Sequence, residues 1–393
     1  MIATRKLRRA RVLVVGCGDV GLRCVPLLTE RAAAPRVIAL SSQASRAAQL
    51  RAAGTTPLIA NLDERRSLRR LSGIAPVVLH LAPPQKTGDE DKRTRALIAA
   101  LSAPRWSAAR TDTTAVARQR AWRGWFRATF AGTSRSGPQR GPLRGRLQGP
   151  LQGPLQGPLL ASLPGTSRRN NALKSAPIVP ERAYRDAGRI PPIRPPVRLI
   201  YASTSGVYGD CGGAWIDETR PVHPDNARAK RRVSAEAQLR RAAQRGVLNV
   251  SILRIPGIYA ANRLPLARLE KGTPALAPAD DVYTNHIHAD DLAAILVVAI
   301  RRAKTQRVIH ASDESEMRMG EYFDRIADAF NLPRAPRVFR EQAEAQLDPM
   351  MLSFMRESRR LHNRRLREEL RYTLRYPTID AFIRTIRTIP PVT

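Results

Sequence analysis

A strand, turn and helix pattern near the start of the chain constrains the fold most. Residues 11–15 form a short β-branched run that leads directly into Gly16-x-Gly18-x-x-Gly21, and a helical pattern near 20–31 follows. Glycines at this spacing suit a tight turn, a close backbone approach to a phosphate group, and close packing of helix on strand. The pattern predicts a phosphate-binding turn in which the N-terminal amides of the helix face the anion.

The same strand and helix unit recurs along the chain. Further strands are predicted at 36–40, 57–59, 77–81, 197–203 and 249–254. Helices between them are predicted near 45–53, 64–71, 92–101 and 226–244. Alternation of this kind is typical of a parallel sheet covered by helices. We therefore predict an α/β fold with a doubly wound parallel sheet, in which residues 1–103 and 197–260 form a Rossmann-type NAD(P)-binding domain.

A segment of different composition interrupts this pattern at 104–196. Leu147-Gln-Gly-Pro150 is repeated twice more up to Pro158, and the whole segment holds 17 Lys and Arg residues against 3 Asp and Glu residues. Repeats so short and so rich in helix and strand breakers do not build a packed core. The composition predicts a disordered basic insert, and a solvated repeat is a simpler interpretation than a nucleic-acid or lipid contact.

Beyond the insert and the strand at 249–254, the pattern becomes mixed. Helices are predicted near 290–302, 319–330 and 341–370, with proline-containing loops between them. We expect residues 261–393 to form a small α-rich C-terminal lobe that covers the substrate and is partly interleaved with the sheet.

The charge of the chain is strongly positive, with 67 Lys and Arg residues against 33 Asp and Glu residues, and only seven of the 67 are lysine. The arginines are scattered instead of clustered on one face, so the sequence does not favour nucleic acid as a partner.

Cysteine usage and hydropathy indicate the compartment. The three cysteines, Cys17, Cys24 and Cys211, match no zinc or redox spacing, and their odd number argues against a disulfide framework. Since no run of 18 apolar residues occurs, we expect no membrane span and a cytoplasmic protein.

The end of the second predicted strand distinguishes between the two common dinucleotides. An acidic residue there binds the free ribose hydroxyl of NAD, whereas a basic or hydroxyl environment accommodates the 2′-phosphate of NADP. Residues 40–46 contain no carboxylate but include Ser41, Ser42 and Arg46. The sequence favours NADP(H) and leaves NAD(H) open.

Several segments, in order along the chain, resemble a known family. They are the glycine loop, Asn61-Leu-Asp63, His80-Leu-Ala-Pro-Pro84, Ser203-Thr-Ser-Gly-Val-Tyr-Gly209, Leu253-Arg-Ile-Pro-Gly-Ile-Tyr259, His286-Ile-His-Ala-Asp-Asp-Leu-Ala293 and the stretch from Asn363 to Pro377. Together they resemble the extended short-chain dehydrogenase/reductases, the NAD-dependent epimerase/dehydratase family. The resemblance covers the chain outside the insert.

The resemblance implies roles for particular residues. Asn61, Leu62 and Asp63 would contact the adenine side of the cofactor, Leu81, Ala82 and Pro83 its centre, and Thr204 a substrate hydroxyl. The predicted cofactor-binding residues are Gly16, Gly18, Asp19, Val20, Gly21, Ser41, Ser42, Arg46, Asn61, Leu62, Asp63, Leu81, Ala82, Pro83 and Pro256.

The chain departs from the family at the proton-transferring residue. In such enzymes a tyrosine four residues before a lysine supplies the proton, because the lysine lowers the pKa of the phenol. None of the eight tyrosines has a lysine at that spacing, and Arg228 stands at the expected position. The glycine loop also reads GxGxxG, where the extended enzymes usually show GxxGxxG. Both departures point to the atypical branch of the family.

Two catalytic candidates remain, Thr204 and Tyr208, although the family keeps a tyrosine at the second position in a structural role. No metal site is predicted. The sequence supports an oxidoreductase or epimerase-like enzyme acting on a carbonyl or alcohol of a small, sugar-nucleotide-like substrate. The alternative is a non-catalytic NADP(H)-binding sensor or scaffold protein. The oligomeric state is left open, a homodimer included.

Overall fold

The computed structural model describes residues 10–30, 34–103 and 195–387. Apart from Pro195 and Pro196, the predicted disordered insert lies outside these residues. Within the described part of the chain, no helix combines the length and the apolar character needed to cross a bilayer.

Strands and helices alternate through the first hundred residues and again after the insert. The strands, numbered in chain order, are β1 (Arg11–Val15), β2 (Arg36–Ser41), β3 (Thr56–Ile59), β4 (Val77–His80), β5 (Val197–Thr204), β6 (Trp215–Ile216), β7 (Leu248–Ile255), β8 (Gly257–Tyr259), β9 (Ala275–Leu276), β10 (Tyr283–Thr284), β11 (His286–His288), β12 (Arg307–His310), β13 (Met317–Arg318), β14 (Arg337–Val338) and β15 (Arg360–Leu361). The helices are α1 (Asp19–Thr29), α2 (Ala47–Ala52), α3 (Lys92–Ser102), α4 (Ala227–Gln244), α5 (Leu266–Glu270), α6 (Ala289–Arg302), α7 (Met319–Ala329), α8 (Arg340–Gln346), α9 (Pro349–Met355), α10 (Arg364–Glu368) and α11 (Ile379–Arg387).

Seven of the strands form one parallel sheet in the order β12-β7-β5-β4-β1-β2-β3. The chain runs outward from β1 to β3, then returns to place β4 on the other side of β1. The predicted doubly wound α/β fold is confirmed. In such sheets ligands bind at the carboxyl ends of the strands where the order reverses, which here lies between β1 and β4.

The core consists of two layers, one on each face of the sheet. Val12 and Val14 of β1 belong to the layer that includes α1 and α6, whereas Leu13 and Val15 belong to the layer that includes α3 and α4. All four side chains are fully buried. Because both faces of the sheet are covered, its central strands are continuous apolar runs, as the sequence pattern indicated.

The prediction of a long helix at 341–370 is wrong. The structure has three short helices there, α8, α9 and α10, together with strand β15. Leu347 adopts an extended conformation that ends α8, and Pro349 begins α9, where the missing proline N–H costs nothing. Residues 360–361 instead pair with β6, through hydrogen bonds from Arg360 N to Ala214 O and from His362 N to Ile216 O. This long-range pairing overrides the local helical pattern.

Candidate functional site

The three glycines of the first turn lie in three different environments. Gly16 has a φ of +80°, and a Cβ atom placed on it would lie 2.5 Å from the backbone of Ala82. A Cβ atom on Gly21 would lie 3.2 Å from the Sγ atom of Cys17, at the contact between helix and strand. By contrast, a Cβ atom on Gly18 would meet nothing within 4 Å. The backbone at Gly18 therefore faces open space, which is what the approach of a pyrophosphate requires.

A cleft of about 300 Å³ opens beside this turn, at the carboxyl ends of β1, β2 and β4. We call it the glycine-loop cleft. Nine predicted cofactor-binding residues line it: Gly16, Gly18, Ser41, Ser42, Arg46, Asn61, Leu62, Ala82 and Pro83. It is also lined by Cys17, Leu40, Gln43, Ala60 and Arg93, which the sequence analysis did not single out.

The other six predicted cofactor-binding residues lie outside the lining of the glycine-loop cleft. Asp19, Val20 and Gly21 form the first turn of α1, Leu81 directly follows β4, and Pro256 joins β7 to β8. Asp63 forms an ion pair with Arg93, whose Nη2 atom lies 2.6 Å from Asp63 Oδ2. This pair holds the loop after β3 against the N-terminus of α3 and brings Arg93 to the cleft. No sequence motif predicts this contact.

At the end of β2, hydroxyl and basic groups surround the cleft. The Oγ atom of Ser41 accepts a hydrogen bond from the backbone N–H of Gln43 at 3.1 Å and fixes the turn. Arg46 donates from its Nε atom to Gln49 at 3.2 Å. Burial raises the pKa of Cys17 to about 11, and the charge of Arg46 acts in the opposite direction. Cys17 is therefore an inert packing residue and not a reactive thiol.

The carboxyl end of β5 forms the other half of the candidate site. Thr204 precedes a short 3-10 helix, Ser205–Tyr208, and its Oγ1 atom accepts a hydrogen bond from the backbone N–H of Gly206 at 3.2 Å. A Cβ atom placed on Gly206 would lie 3.6 Å from Thr204 Oγ1 and 3.8 Å from Glu357 Oε2. The Thr204 hydroxyl and the Glu357 carboxylate therefore both lie near Gly206, at this end of the strand.

Glu357 is a candidate that the sequence analysis missed. It follows α9, and its side chain is 9% exposed. Its Oε1 atom accepts a hydrogen bond from Asn226 at 2.9 Å, and its Oε2 atom lies 2.9 Å from Arg359 Nη1. Asn226 is the N-cap residue of α4. The pairing of β15 with β6 brings Glu357 close to Gly206, which is more than 150 residues away in the chain, and no local pattern reveals such an approach.

Two arginines of α4 lie near the same place. Arg228 stacks over the ring of Phe354, with its Cζ atom 4.4 Å from the ring centroid. Burial lowers the pKa of Arg228, partly offset by the charge of Glu357, but a guanidinium still stays protonated. Four residues later, Arg232 donates hydrogen bonds to Ala202 O at 2.7 Å and to the Tyr201 hydroxyl at 3.1 Å. Both side chains are therefore held by contacts with neighbouring aromatic or polar groups.

The hydroxyl of Tyr208 lies in the interior. The side chain is 1% exposed, and its oxygen forms a hydrogen bond with Nε2 of the buried His310 at 2.5 Å. Burial raises the pKa of Tyr208 to about 12, although the charge of Arg254 lowers it. These contacts favour a structural role over proton transfer to a substrate. A catalytic role for Tyr208 stays a prediction, and the buried position of the Tyr208 hydroxyl argues against that role.

Other polar groups near the strand ends have structural partners. His80 is buried and forms a hydrogen bond with Thr94 at 2.9 Å, and burial lowers its pKa to about 3. The rings of His286 and His288 both contact the Tyr259 ring, at centroid distances of 6.3 Å and 5.2 Å, and both histidines are buried. Among the described residues, no group of three or more His, Cys, Asp or Glu side chains is arranged to hold a metal ion.

Comparison with known proteins agrees with the motifs. Residues 186–311 match the model of the NAD dependent epimerase/dehydratase family. No curated protein matches the chain.

Solved structures share the fold. A dTDP-glucose 4,6-dehydratase from Streptomyces venezuelae, solved with NAD bound, has a TM-score of 0.60 and 16% identity and covers 96% of each chain. A UDP-glucose 4-epimerase from Thermotoga maritima, solved with UDP-glucose, has a TM-score of 0.57 and 13% identity, with coverage of 96% of this chain and 99% of that one. A conserved protein of unknown function from Silicibacter pomeroyi has a TM-score of 0.58 and 22% identity, with coverage of 96% and 98%.

Proposed function

Since residues 186–311 match the model of the NAD-dependent epimerase/dehydratase family, we propose that the chain binds NADP(H) or NAD(H) in the glycine-loop cleft and uses it to oxidise or reduce a small substrate. The substrate is a carbonyl or alcohol compound of the sugar-nucleotide type. NADP(H) is the preferred cofactor in this proposal, because Ser41, Ser42 and Arg46 surround the end of β2 where a 2′-phosphate would lie.

The open space above Gly18 is the observation that carries the proposal. Gly16 and Gly21 are closely packed against protein atoms, so their lack of a side chain is explained by the fold alone. Gly18 meets no such packing constraint, and its φ of −83° is not a left-handed value. A glycine that the fold does not require, beside an open cleft and the first turn of a helix, fits a bound pyrophosphate.

Thr204 and Glu357 support the chemical half of the proposal. When bound, the dinucleotide supplies or accepts the hydride at the substrate carbon. Oxidation of an alcohol also requires that its hydroxyl proton go to a base, and reduction of a carbonyl requires the reverse. In this proposal Thr204 hydrogen-bonds the substrate oxygen, and the carboxylate of Glu357, which also lies near Gly206, takes or returns the proton.

Binding is tested by titrating NADPH and NADH into the full-length protein and into Gly18→Ala. The added methyl group fills the space for the pyrophosphate, so we expect the dissociation constant of the variant to rise at least tenfold. Its melting temperature should stay within about 2 °C of the wild type, because the methyl group contacts no protein atom. Equal affinities for wild type and variant would contradict the proposed site.

Turnover is tested separately, with the nucleotide saturating. Absorbance at the nicotinamide band is followed with a panel of sugar nucleotides and small carbonyl compounds, for the wild type and for Glu357→Gln. A base in proton transfer contributes about 10²–10⁴-fold, so the variant should lose at least a hundredfold in turnover while NADPH binding is retained. If the variant turns over as fast as the wild type, Glu357 does not carry the proton.

A second candidate function is a nucleotide-binding sensor or scaffold without turnover. The position of Arg228 favours it, because a permanently charged guanidinium stands at the start of α4 where the family's tyrosine is expected. Tight binding of NADPH with no absorbance change over the whole panel would favour this second function.

A further inference from the structure

A cluster of charged side chains lies at the N-terminus of α1, outside the lining of the glycine-loop cleft. Asp19, in the first turn of the helix, has its Oδ2 atom 3.3 Å from Arg23 Nε and 3.0 Å from Arg263 Nε. Arg23 also reaches Asp290 at 2.5 Å and Asn262 at 3.3 Å. Residues 261–263 form a short 3-10 helix after β8, so this segment comes to the glycine loop from more than 230 residues away.

The carboxylate of Asp19 is ionised at neutral pH. Burial raises its pKa, but the hydrogen bond and charge of Arg23 and the charge of Arg263 outweigh that effect and hold the pKa below its ordinary value. A negative group in the first turn of a helix interacts favourably with the free amides there. The same amides are the ones that a pyrophosphate would use, so Asp19 occupies a position where it repels the proposed ligand unless it is neutralised.

The two arginines of this cluster are held very differently. Arg23 has oxygen partners on three residues, Asp19, Asp290 and Asn262, and its side chain is 27% exposed. Among the described residues, the side chain of Arg263 has its hydrogen bond with Asp19, and it is 36% exposed. A long, half-exposed side chain with one acceptor can change partners at little cost.

We propose that Arg263 binds the pyrophosphate. When a dinucleotide enters the cleft, the side chain of Arg263 leaves Asp19 and binds the phosphate oxygens, while Arg23 keeps Asp19 neutralised. The inference rests on the proposed function, because it needs a dinucleotide at the glycine loop. Asp19 then sets the affinity: in the free protein it holds Arg263 in place, and in the complex it lies close to the ligand. Arginine suits this exchange because its guanidinium binds carboxylate and phosphate with the same geometry.

The test measures the affinity of Arg263→Gln and Asp19→Asn for NADPH and NADH at low and moderate salt. Loss of Arg263 should raise both dissociation constants at least fivefold and weaken their dependence on salt. Loss of the Asp19 charge should lower them severalfold, because Arg263 is released and the repulsion is gone. Arg334→Gln is the matched control, since Arg334 forms a similar arginine–aspartate pair with Asp328 at 2.7 Å in another part of the surface. It should bind both nucleotides as the wild type does.

Adenosine, which lacks the pyrophosphate, separates a direct contact from a distorted cleft. Its affinity should be the same for the wild type and for Arg263→Gln. The inference is overturned if Arg263→Gln binds NADPH as tightly as the wild type, or if it loses adenosine and NADPH affinity in equal measure. In both cases binding by the wild type leaves the proposed function standing. If the wild type binds neither dinucleotide, the proposed function itself fails, and the inference fails with it.

Discussion

The two halves of the central sheet end very differently. At the carboxyl ends of β1, β2 and β4, the chain leaves a cleft of about 300 Å³ and open space above Gly18. At the ends of β5, β7 and β12, the polar groups are buried and bind mainly one another. Glu236 accepts hydrogen bonds from Ser203 at 2.7 Å and from Arg254 at 2.8 Å, and Tyr208 binds His310.

This difference separates what the family resemblance supports from what it does not. The first half retains the glycine loop and a cleft lined by nine predicted residues, which is a place for a ligand. In the second half, Arg228 stands where the family resemblance leads us to expect the tyrosine. Motif residues with buried side chains can be explained by packing of the sheet alone. Only the open half, which has a cleft, therefore indicates that a ligand binds.

The largest expected effect lies in the closed half. Glu236 and Arg254 form an ion pair at 2.8 Å with both side chains 4% exposed. Arg254→Ala would leave the Glu236 charge buried with only weaker partners, so we expect the free energy of unfolding to fall by about 3–5 kcal/mol. Chemical denaturation of the wild type and the variant measures this free energy of unfolding. NADPH affinity of the folded fraction should not change, because the pair does not line the glycine-loop cleft.

Arg240→Ala is the control for this pair. Arg240 approaches the same carboxylate, Glu236, at 3.5 Å but from a side chain that is 38% exposed. Its loss should cost no more than about 1 kcal/mol. Equal costs for the two variants would mean that the closed half is not held together by the buried pair.

The next effect is a pH dependence, again in the closed half. Asp313 is 3% exposed, and burial raises its pKa to about 8. In the unfolded chain an aspartate has a pKa near 3.9. Between about pH 4 and pH 8 the unfolded chain has lost this proton and the folded chain has kept it. The contribution of Asp313 to stability is therefore complete below about pH 4, falls as the pH rises to about 8, and is then constant.

Asp313→Asn removes this titration, so its stability should fall less between pH 4 and pH 9 than that of the wild type. A pKa shift of about four units corresponds to a difference of about 5 kcal/mol. The hydrogen bond from Ser315 N to Asp313 Oδ1, at 3.0 Å, can be kept by the amide oxygen. Asp217→Asn is the control, because hydrogen bonds from Thr219 lower the pKa of Asp217 and its titration has the opposite sign. A wild-type profile matched by Asp313→Asn would refute the assignment.

Much of the open half could be predicted from sequence because its signals are local. Residues 11–21 specify a strand, a turn and a helix within one short stretch, and the alternation behind them specifies a parallel sheet. The sequence anticipated a tight turn at Gly16, a close backbone approach at Gly18 and helix–strand packing at Gly21, and the surroundings of the three glycines agree with these expectations. Local structure of this kind depends on residues that are close together in the sequence, so the sequence pattern predicts it.

The closed half could not be predicted in the same way, because its contacts join distant segments. Glu357 comes close to Gly206 through the pairing of β15 with β6, and the predicted helix over 341–370 concealed that strand. The same limit applies to one contact of the open half, because Arg263 meets Asp19 across 244 residues. A helical pattern at 360–361 carried no sign of a partner strand, since strand pairing depends on the fold as a whole.

A smaller effect tests the packing of the open half. Gly16→Ala places a methyl group 2.5 Å from the backbone of Ala82 at a φ of +80°. Gly54→Ala has the same φ of +80° but meets nothing within 4 Å. Both variants carry the backbone strain, of order 1 kcal/mol, and only the first also carries the clash. Thermal denaturation should therefore show Gly16→Ala as the less stable by about 1–2 kcal/mol, and equal losses would show that the turn can move away from Ala82.

The smallest expected effect decides between the two dinucleotides. Arg46 lines the cleft with Ser41 and Ser42, and a guanidinium there would bind the 2′-phosphate that NADPH has and NADH lacks. Arg46→Gln should raise the dissociation constant for NADPH about tenfold, which corresponds to about 1.4 kcal/mol, and leave that for NADH within a factor of two. Arg51→Gln removes an exposed charge from the same helical segment, away from the cleft, and should change neither value. If Arg46→Gln weakens both nucleotides equally, Arg46 acts on the part they share, and the open half does not favour NADP(H).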